Sequence, residues 1–135
     1  MILREWLAAE PFTLTLSSGF FSFFAHTGML SALEEDNLLP QRLTGSSAGA
    51  LVASCWAAGM STSDLKAVLF RLKRQDFWDP GFGWGLLKGQ KFQAILKDIL
   101  PVERFEECRA ELSLSAYDIK SKSTIIINSG ELIPA

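Results

Sequence analysis

The sequence predicts a three-layer α/β fold around a mostly parallel sheet, and three observations predict it. Strand-like and helix-like segments alternate through the first half of the chain, which is the order of βαβ units. Two stretches, Pro11 to Leu33 and Leu43 to Ser63, contain no Asp, Glu, Lys or Arg, as expected of elements that form or cover a sheet buried on both faces. Within the second of these, Gly45-Ser46-Ser47-Ala48-Gly49 spells G-x-S-x-G where a short strand meets an apolar helix, the setting in which a serine is held on a sharp turn above a sheet.

Taken in order, residues 3–9 have helical composition, with Trp6 and Leu7 as packing residues, and Pro11 closes the segment. Phe12-Thr13-Leu14-Thr15-Leu16 alternates large apolar residues with threonine and predicts the first strand. A loop over 17–22 leads into a helix from about Phe23 to Asp36, in which Ala25, Met29, Leu30 and Leu33 keep helical spacing and Asn37 is the stop. A short strand at Arg42-Leu43-Thr44 runs into the serine turn. The helix after it, Ala50 to Ala58, is apolar on nearly every face and therefore buried, and Gly59 ends it.

Ser61-Thr62-Ser63 offers caps for a helix over 64–74, whose Leu65, Val68, Leu69 and Leu72 follow the i, i+3, i+4, i+7 pattern and should lie on the core. The basic cluster at its end, Arg71, Lys73 and Arg74, complements the helix dipole and is expected to be solvated. Residues 76–85 form a Pro/Gly loop that carries Phe77, Trp78, Phe82 and Trp84, either a satellite apolar cluster or a rim for an acyl chain or membrane. A helix over 90–100 presents Phe92, Ile95, Leu96 and Ile99 on one face and stops at Pro101. Two strands, Glu111 to Tyr117 and Ser123 to Ile127, flank the polar turn Lys120-Ser121-Lys122.

The composition narrows the classes of function. The chain has 135 residues, 48% hydrophobic and 21% charged, which suits one globular domain with a sizeable core. A net charge of -2 leaves no basic footprint for nucleic acid. Two cysteines, Cys55 and Cys108, are too few for a disulfide framework, and Met1 to Trp6 mixes charges among its apolar residues and so has no signal-peptide core, so a cytoplasmic protein is expected. The uncharged stretches are broken by Ser17-Ser18-Gly19 and Thr44-Gly45-Ser46-Ser47, turn clusters that a membrane-spanning helix does not need.

In the G-x-S-x-G turn, the flanking glycines let neighbouring backbone pass closely, and the following helix aims its first N–H groups beside the Ser47 hydroxyl. That combination suits acyl transfer; packing a helix close against a strand would use the same small residues. A serine nucleophile usually takes its base from a histidine, but the one histidine, His26, precedes Ser47, whereas α/β-hydrolases place histidine last. His26 is therefore read as structural.

The segment Leu16 to Glu35, with Ser17-Ser18-Gly19-Phe20-Phe21-Ser22 at its start, followed by Thr44-Gly45-Ser46-Ser47-Ala48-Gly49-Ala50, resembles the beginning of a patatin-like phospholipase domain. The resemblance implies a lipid acyl hydrolase of phospholipase A or lysophospholipase type, with Ser47 as nucleophile in a Ser–Asp dyad that uses no histidine. It implies oxyanion N–H groups from Ser18, Gly19 and Phe20, a lipid or acyl-ester substrate, and no metal or organic cofactor. The chain departs from the family where three glycines and a basic residue are usual, having Ser18-Gly19-Phe20-Phe21-Ser22-Phe23. It also has no Asp-Gly dipeptide, the family's site for the acid. Residues 1–135 are accordingly expected to be the N-terminal portion of a single domain, incomplete at its C-terminus, with the aspartate beyond Ala135 and Asp118 as a fallback. The alternative is a non-catalytic fragment or lipid-binding protein with a degenerate oxyanion loop. Peripheral membrane contact and self-association stay open, the second because a parallel sheet ending at Ile127 would leave apolar surface uncovered.

Overall fold

The computed structural model describes residues 2–19, 21–72 and 89–133. Among these are α1 (Leu3–Ala9), β1 (Thr13–Leu16), α2 (Ser22–Glu35), β2 (Arg42–Ser46), α3 (Ala48–Ala57), α4 (Thr62–Arg71), α5 (Gln90–Ile99), a 3-10 turn (Phe105–Glu107), β3 (Glu111–Asp118) and β4 (Ser123–Ile127). The strands form one sheet in the order β1-β2-β3-β4. The first two pairings are parallel and the third is antiparallel. This is the α/β class with a mostly parallel sheet that the order of elements predicts.

Strand alternation decides where the core lies. Leu14 and Leu16 of β1, Leu43 and Gly45 of β2, and Leu112 and Leu114 of β3 are in register and share one face. Among the described residues, α3 is the helix that packs directly on this sheet, and α2 and α4 stack against α3. The helix can serve as the centre because Val52, Ala53, Cys55, Trp56 and Ala57 are all within 1% of full burial. Burial pushes the Cys55 thiol up to about 12, so it is inert at neutral pH. The other sheet face carries hydroxyls and an ion pair: Thr44 donates to Thr15 at 3.0 Å, and Arg42 meets Glu111 at 3.2 Å.

Two helical stretches differ from the sequence reading. In α1, Trp6 is 61% exposed and Leu7 only half-buried. In α2, Ala25 and Met29 face outward and the buried residues are Thr27, Leu30, Ser31 and Leu33. Polar residues occupy the inner stripe because each is satisfied there. Thr27 Oγ1 donates to the Phe23 carbonyl at 2.7 Å, and Lys66 Nζ donates to Ser31 Oγ at 2.9 Å. Asn37 stops the helix as expected, at φ +55, with Leu38 N–H donating to Leu33 O at 2.8 Å. Helix α4 begins at its Ser61 cap, which accepts from Asp64 N–H at 3.1 Å, and ends at Arg71; Lys73, Arg74 and the aromatic segment Phe77 to Trp84 lie outside the described residues.

Glu34 ties the helical layer together. Its carboxylate accepts from Trp56 Nε1 at 2.7 Å, from Thr62 Oγ1 at 2.6 Å and from Thr62 N–H at 3.3 Å. Arg109, entering β3, lies 3.5 Å from Glu34, donates to the Trp56 and Met60 carbonyls and sits 3.8 Å over the Trp56 ring. Burial alone would raise the Glu34 pKa, but the hydrogen bonds from Thr62 and Trp56 and the Arg109 charge outweigh it and hold it below its ordinary 4.5. A depressed carboxylate stabilises the fold fully above its unfolded value, and that contribution is lost as pH falls through the folded value. Replacing Glu34 with alanine strands several donors and is expected to cost about 3 kcal/mol at pH 7. Glu34→Gln should cost less and flatten the fall of stability below pH 4.5. Urea unfolding at a series of pH values checks both; an unchanged acid limb in Glu34→Gln would show that other carboxylates set it.

Candidate active site

Ser47 stands between β2 and α3 with φ +53 and ψ -118, in the left-handed half of the map that L side chains rarely adopt. Two glycines make that turn possible. A Cβ on Gly45 would come within 2.6 Å of the Gly49 carbonyl oxygen, and one on Gly49 would overlap the Leu16 carbonyl. The end of β2, the first turn of α3 and the end of β1 therefore approach as only glycine allows. Ser47 is exposed, although Gly45, Ala48 and Gly49 around it are buried.

The first turn of α3 leaves donors beside that hydroxyl. Leu51 N–H makes the first intrahelical bond, to Ser47 O at 3.1 Å, and the Ser47 side chain does not cap the helix. The N–H groups of Ala48, Gly49 and Ala50 consequently have no acceptor within the helix, and the helix dipole favours negative charge at the same spot. An anion or a developing oxyanion next to Ser47 would be stabilised there.

The loop after β1 reaches the same edge. Ser18 Oγ donates to Ser46 Oγ at 3.0 Å, tying the loop to the residue before Ser47. Gly19, at φ +132, closes a turn in which Ser22 N–H donates to Gly19 O at 2.9 Å. Of the three expected oxyanion residues, Ser18 is thus tied to the serine turn and Gly19 follows it in the same loop, while Phe20 falls outside the described residues. His26 Nε2 lies 2.8 Å from the Ser17 carbonyl oxygen. A carbonyl can only accept, so Nε2 carries the proton. The imidazole acts as a clamp on the loop, in keeping with a structural histidine.

A cavity of about 420 Å3 opens in front of Ser47. On α3 it is lined by Ser47, Ala50, Leu51 and Ser54, and on α5 by Phe92, Gln93 and Leu96. The first four are an i, i+3, i+4, i+7 stripe, and the other three continue a stripe of the same spacing that starts at Gly89, so the cavity is a groove that follows two helices, with Leu114 and Leu132 also lining it. Sequence reasoning found the apolar faces of both helices but not that they face one another across a gap, nor that Leu132 joins them. The pattern of a face is local, and what it faces is set by tertiary contacts.

No carboxylate lines this groove among the described residues. Asp118 accepts from Lys120 N–H at 3.0 Å and Ser121 N–H at 3.2 Å; the Ser121 hydroxyl first, and then these two N–H groups, hold its pKa below the usual carboxylate range. Register places Ser46 opposite Ser115, so Asp118 lies three residues further along β3, roughly 10 Å at the usual rise per residue. As a fallback acid it is both distant and engaged by its own turn. Among the described residues no helix is long and apolar enough to cross a membrane. Compared with known protein families, residues 14–134 match the family model described as patatin-like phospholipase.

Proposed function

Because this chain belongs to the patatin-like phospholipase family, a family of lipid acyl hydrolases, we propose that Ser47 is the nucleophile of a phospholipase A or lysophospholipase reaction on a lipid acyl ester. The observation that carries this reading is a serine at φ +53 at the head of α3, facing an apolar groove. In the proposed reaction, Ser47 Oγ attacks the ester carbonyl while an aspartate takes its proton. N–H groups of Ala48 and of the Ser18, Gly19 and Phe20 loop hold the oxyanion; the intermediate collapses with cleavage of the ester C–O bond, the aspartate passing its proton to the departing alcohol, and water, deprotonated by the same aspartate, then releases the fatty acid from the acyl-enzyme and restores the Ser47 hydroxyl. The acyl chain lies in the groove between α3 and α5. The aspartate is one that the described residues do not bring to Ser47.

A second reading, a lipid-binding protein without turnover, is favoured by the absence of a carboxylate from the described groove lining and by Ser22 and Phe23 where the family has a basic residue and glycine. Fatty acid release from a phospholipid and from its lysophospholipid separates the two. The dyad reading expects release that depends on Ser47 and survives His26→Gln within about tenfold, because a glutamine amide can still donate to the Ser17 carbonyl. A loss in His26→Gln as large as in Ser47→Ala would replace the dyad with a histidine mechanism. Lipid binding with no release would favour the second reading.

A further inference from the structure

The start of α2 presents donors to three consecutive carbonyls of the loop after β1. His26 Nε2 holds the Ser17 carbonyl at 2.8 Å, Ser22 Oγ donates to the Ser18 carbonyl at 3.3 Å, and Ser22 N–H donates to the Gly19 carbonyl at 2.9 Å. Ser22 and His26 stand at i and i+4, so they share one face of α2, and both are half-buried. The same loop is tied to the serine turn by the bond of Ser18 Oγ to Ser46 Oγ at 3.0 Å.

A peptide unit is planar and trans, so a carbonyl fixed in direction also fixes the N–H of the next residue, which points the opposite way. Holding the Ser17 and Ser18 carbonyls therefore sets the N–H groups of Ser18 and Gly19, each turned away from the α2 side chain that holds its plane. Among the described residues neither N–H meets an acceptor, so both are left for a group that enters from outside. The loop needs such restraint, because Gly19 at φ +132 is the residue type with the widest backbone freedom. Ser22 supplies it at close range: a Cβ on Gly19 would come within 2.5 Å of Ser22 Oγ. Donors lower a barrier only if they are already aimed where charge develops; donors that must first be ordered give part of the stabilisation back.

We propose that His26 and Ser22 are positioning residues that preorganise the Ser18 and Gly19 N–H groups as oxyanion donors, the imidazole acting as a hydrogen-bond donor and not as a base. This rests on the reading of Ser47 as nucleophile, and it gives the chain's one histidine a part in the reaction without a proton to move.

Steady-state hydrolysis of a soluble short-chain ester is the first test. His26→Leu removes the donor and should lower kcat at least about thirtyfold with KM within about twofold, since a misaimed oxyanion donor is missed mainly in the transition state. His26→Gln keeps a donor for the Ser17 carbonyl and should recover kcat to within about tenfold of the parent. Ser22→Ala loses only the hydroxyl and should lower kcat about fivefold, which serves where His26→Leu does not fold. A lower melting temperature with parent-level kcat in the folded His26→Leu and Ser22→Ala variants would overturn the proposal. So would a His26→Gln variant as impaired as His26→Leu, which would make the imidazole a proton carrier.

A second measurement does not depend on turnover. In Ser47→Ala, titration with octanoate should shift the amide NMR signals of Ser18 and Gly19 as the carboxylate takes the place of the oxyanion. Adding His26→Leu or Ser22→Ala should weaken those shifts while octanoate still perturbs the Leu51 and Leu96 methyls in the groove. If the parent releases no fatty acid, the nucleophile reading fails and these shifts alone decide the role of the loop. Their absence from Ser47→Ala, or their persistence at full size in both double variants, would overturn the positioning role.

Discussion

Replacing Ser47 with glycine is expected to raise the melting temperature while abolishing acyl hydrolysis. Ser47 holds φ +53, a conformation that costs a residue with a Cβ about 1–3 kcal/mol and costs glycine little. Glycine gives back about 0.5–1 kcal/mol through the greater freedom of the unfolded chain. The net gain is about 1 kcal/mol, a few degrees in melting temperature for a domain of this size. Loss of the nucleophile removes the acyl-enzyme route altogether, a fall on the order of 10^4-fold or more in kcat. Ser47→Ala separates the two effects, since alanine keeps the strain and loses only the hydroxyl. Thermal unfolding and ester hydrolysis on the parent and both variants are the check. A glycine variant less stable than the alanine variant would mean that the turn is not strained at this residue.

Gly49→Ala should have the largest effect on stability. The added methyl would overlap the Leu16 carbonyl and come within 2.7 Å of the Ser17 carbonyl oxygen, both backbone atoms that cannot step aside without moving the end of β1. A cost of about 3 kcal/mol or more follows, roughly a 10 °C loss in melting temperature. Gly28 is the matched control. It lies within α2, has ordinary φ, and a Cβ there would meet nothing within 4 Å. Gly28→Ala should accordingly stabilise by about 0.5–1 kcal/mol. If the two alanine variants melted alike, close approach at Gly49 would not be what the motif encodes.

The parts of the fold that the sequence made legible are those where a local rule coincides with the tertiary outcome. Thr13-Leu14-Thr15-Leu16 alternates because one sheet face meets α3 and the other does not. The glycines at 45 and 49 mark the crossing of β2, α3 and β1 because no other residue fits there. Helix α4 keeps Leu65 and Leu69 on the core, at 0% and 6% exposure, in the register its spacing gives. In α2 the hydrophobic pattern pointed to Ala25 and Met29, and the buried stripe proved to hold Thr27 and Ser31 instead. Their hydroxyls find partners inside the helical layer, so polarity did not keep them out. Trp6 is a second such case: a large ring predicts burial only where another element covers it, and among the described residues no residue of α1 is buried.

The site divides in the same way. Ser47 and its turn were legible because strain, close packing and an exposed hydroxyl all follow from five consecutive residues. The groove was not, because Phe92, Leu96 and Leu132 reach it from segments more than forty residues further on. Ser46 gave no signal at all, yet its hydroxyl holds the loop after β1 at 3.0 Å. The acid depends on where a distant carboxylate is brought, and Asp118 is committed to the turn between β3 and β4.

Peptide mapping of the protein after reaction with a fluorophosphonate probe tests the central claim most directly. Only a serine whose hydroxyl is activated beside oxyanion donors reacts at a useful rate with such a probe. One adduct is expected, on Ser47, and it should be absent from Ser47→Ala with the rest of the map unchanged. An adduct on Ser18 or Ser46 in place of Ser47, or no adduct on a preparation that releases fatty acid, would contradict the assignment of Ser47 as the nucleophile.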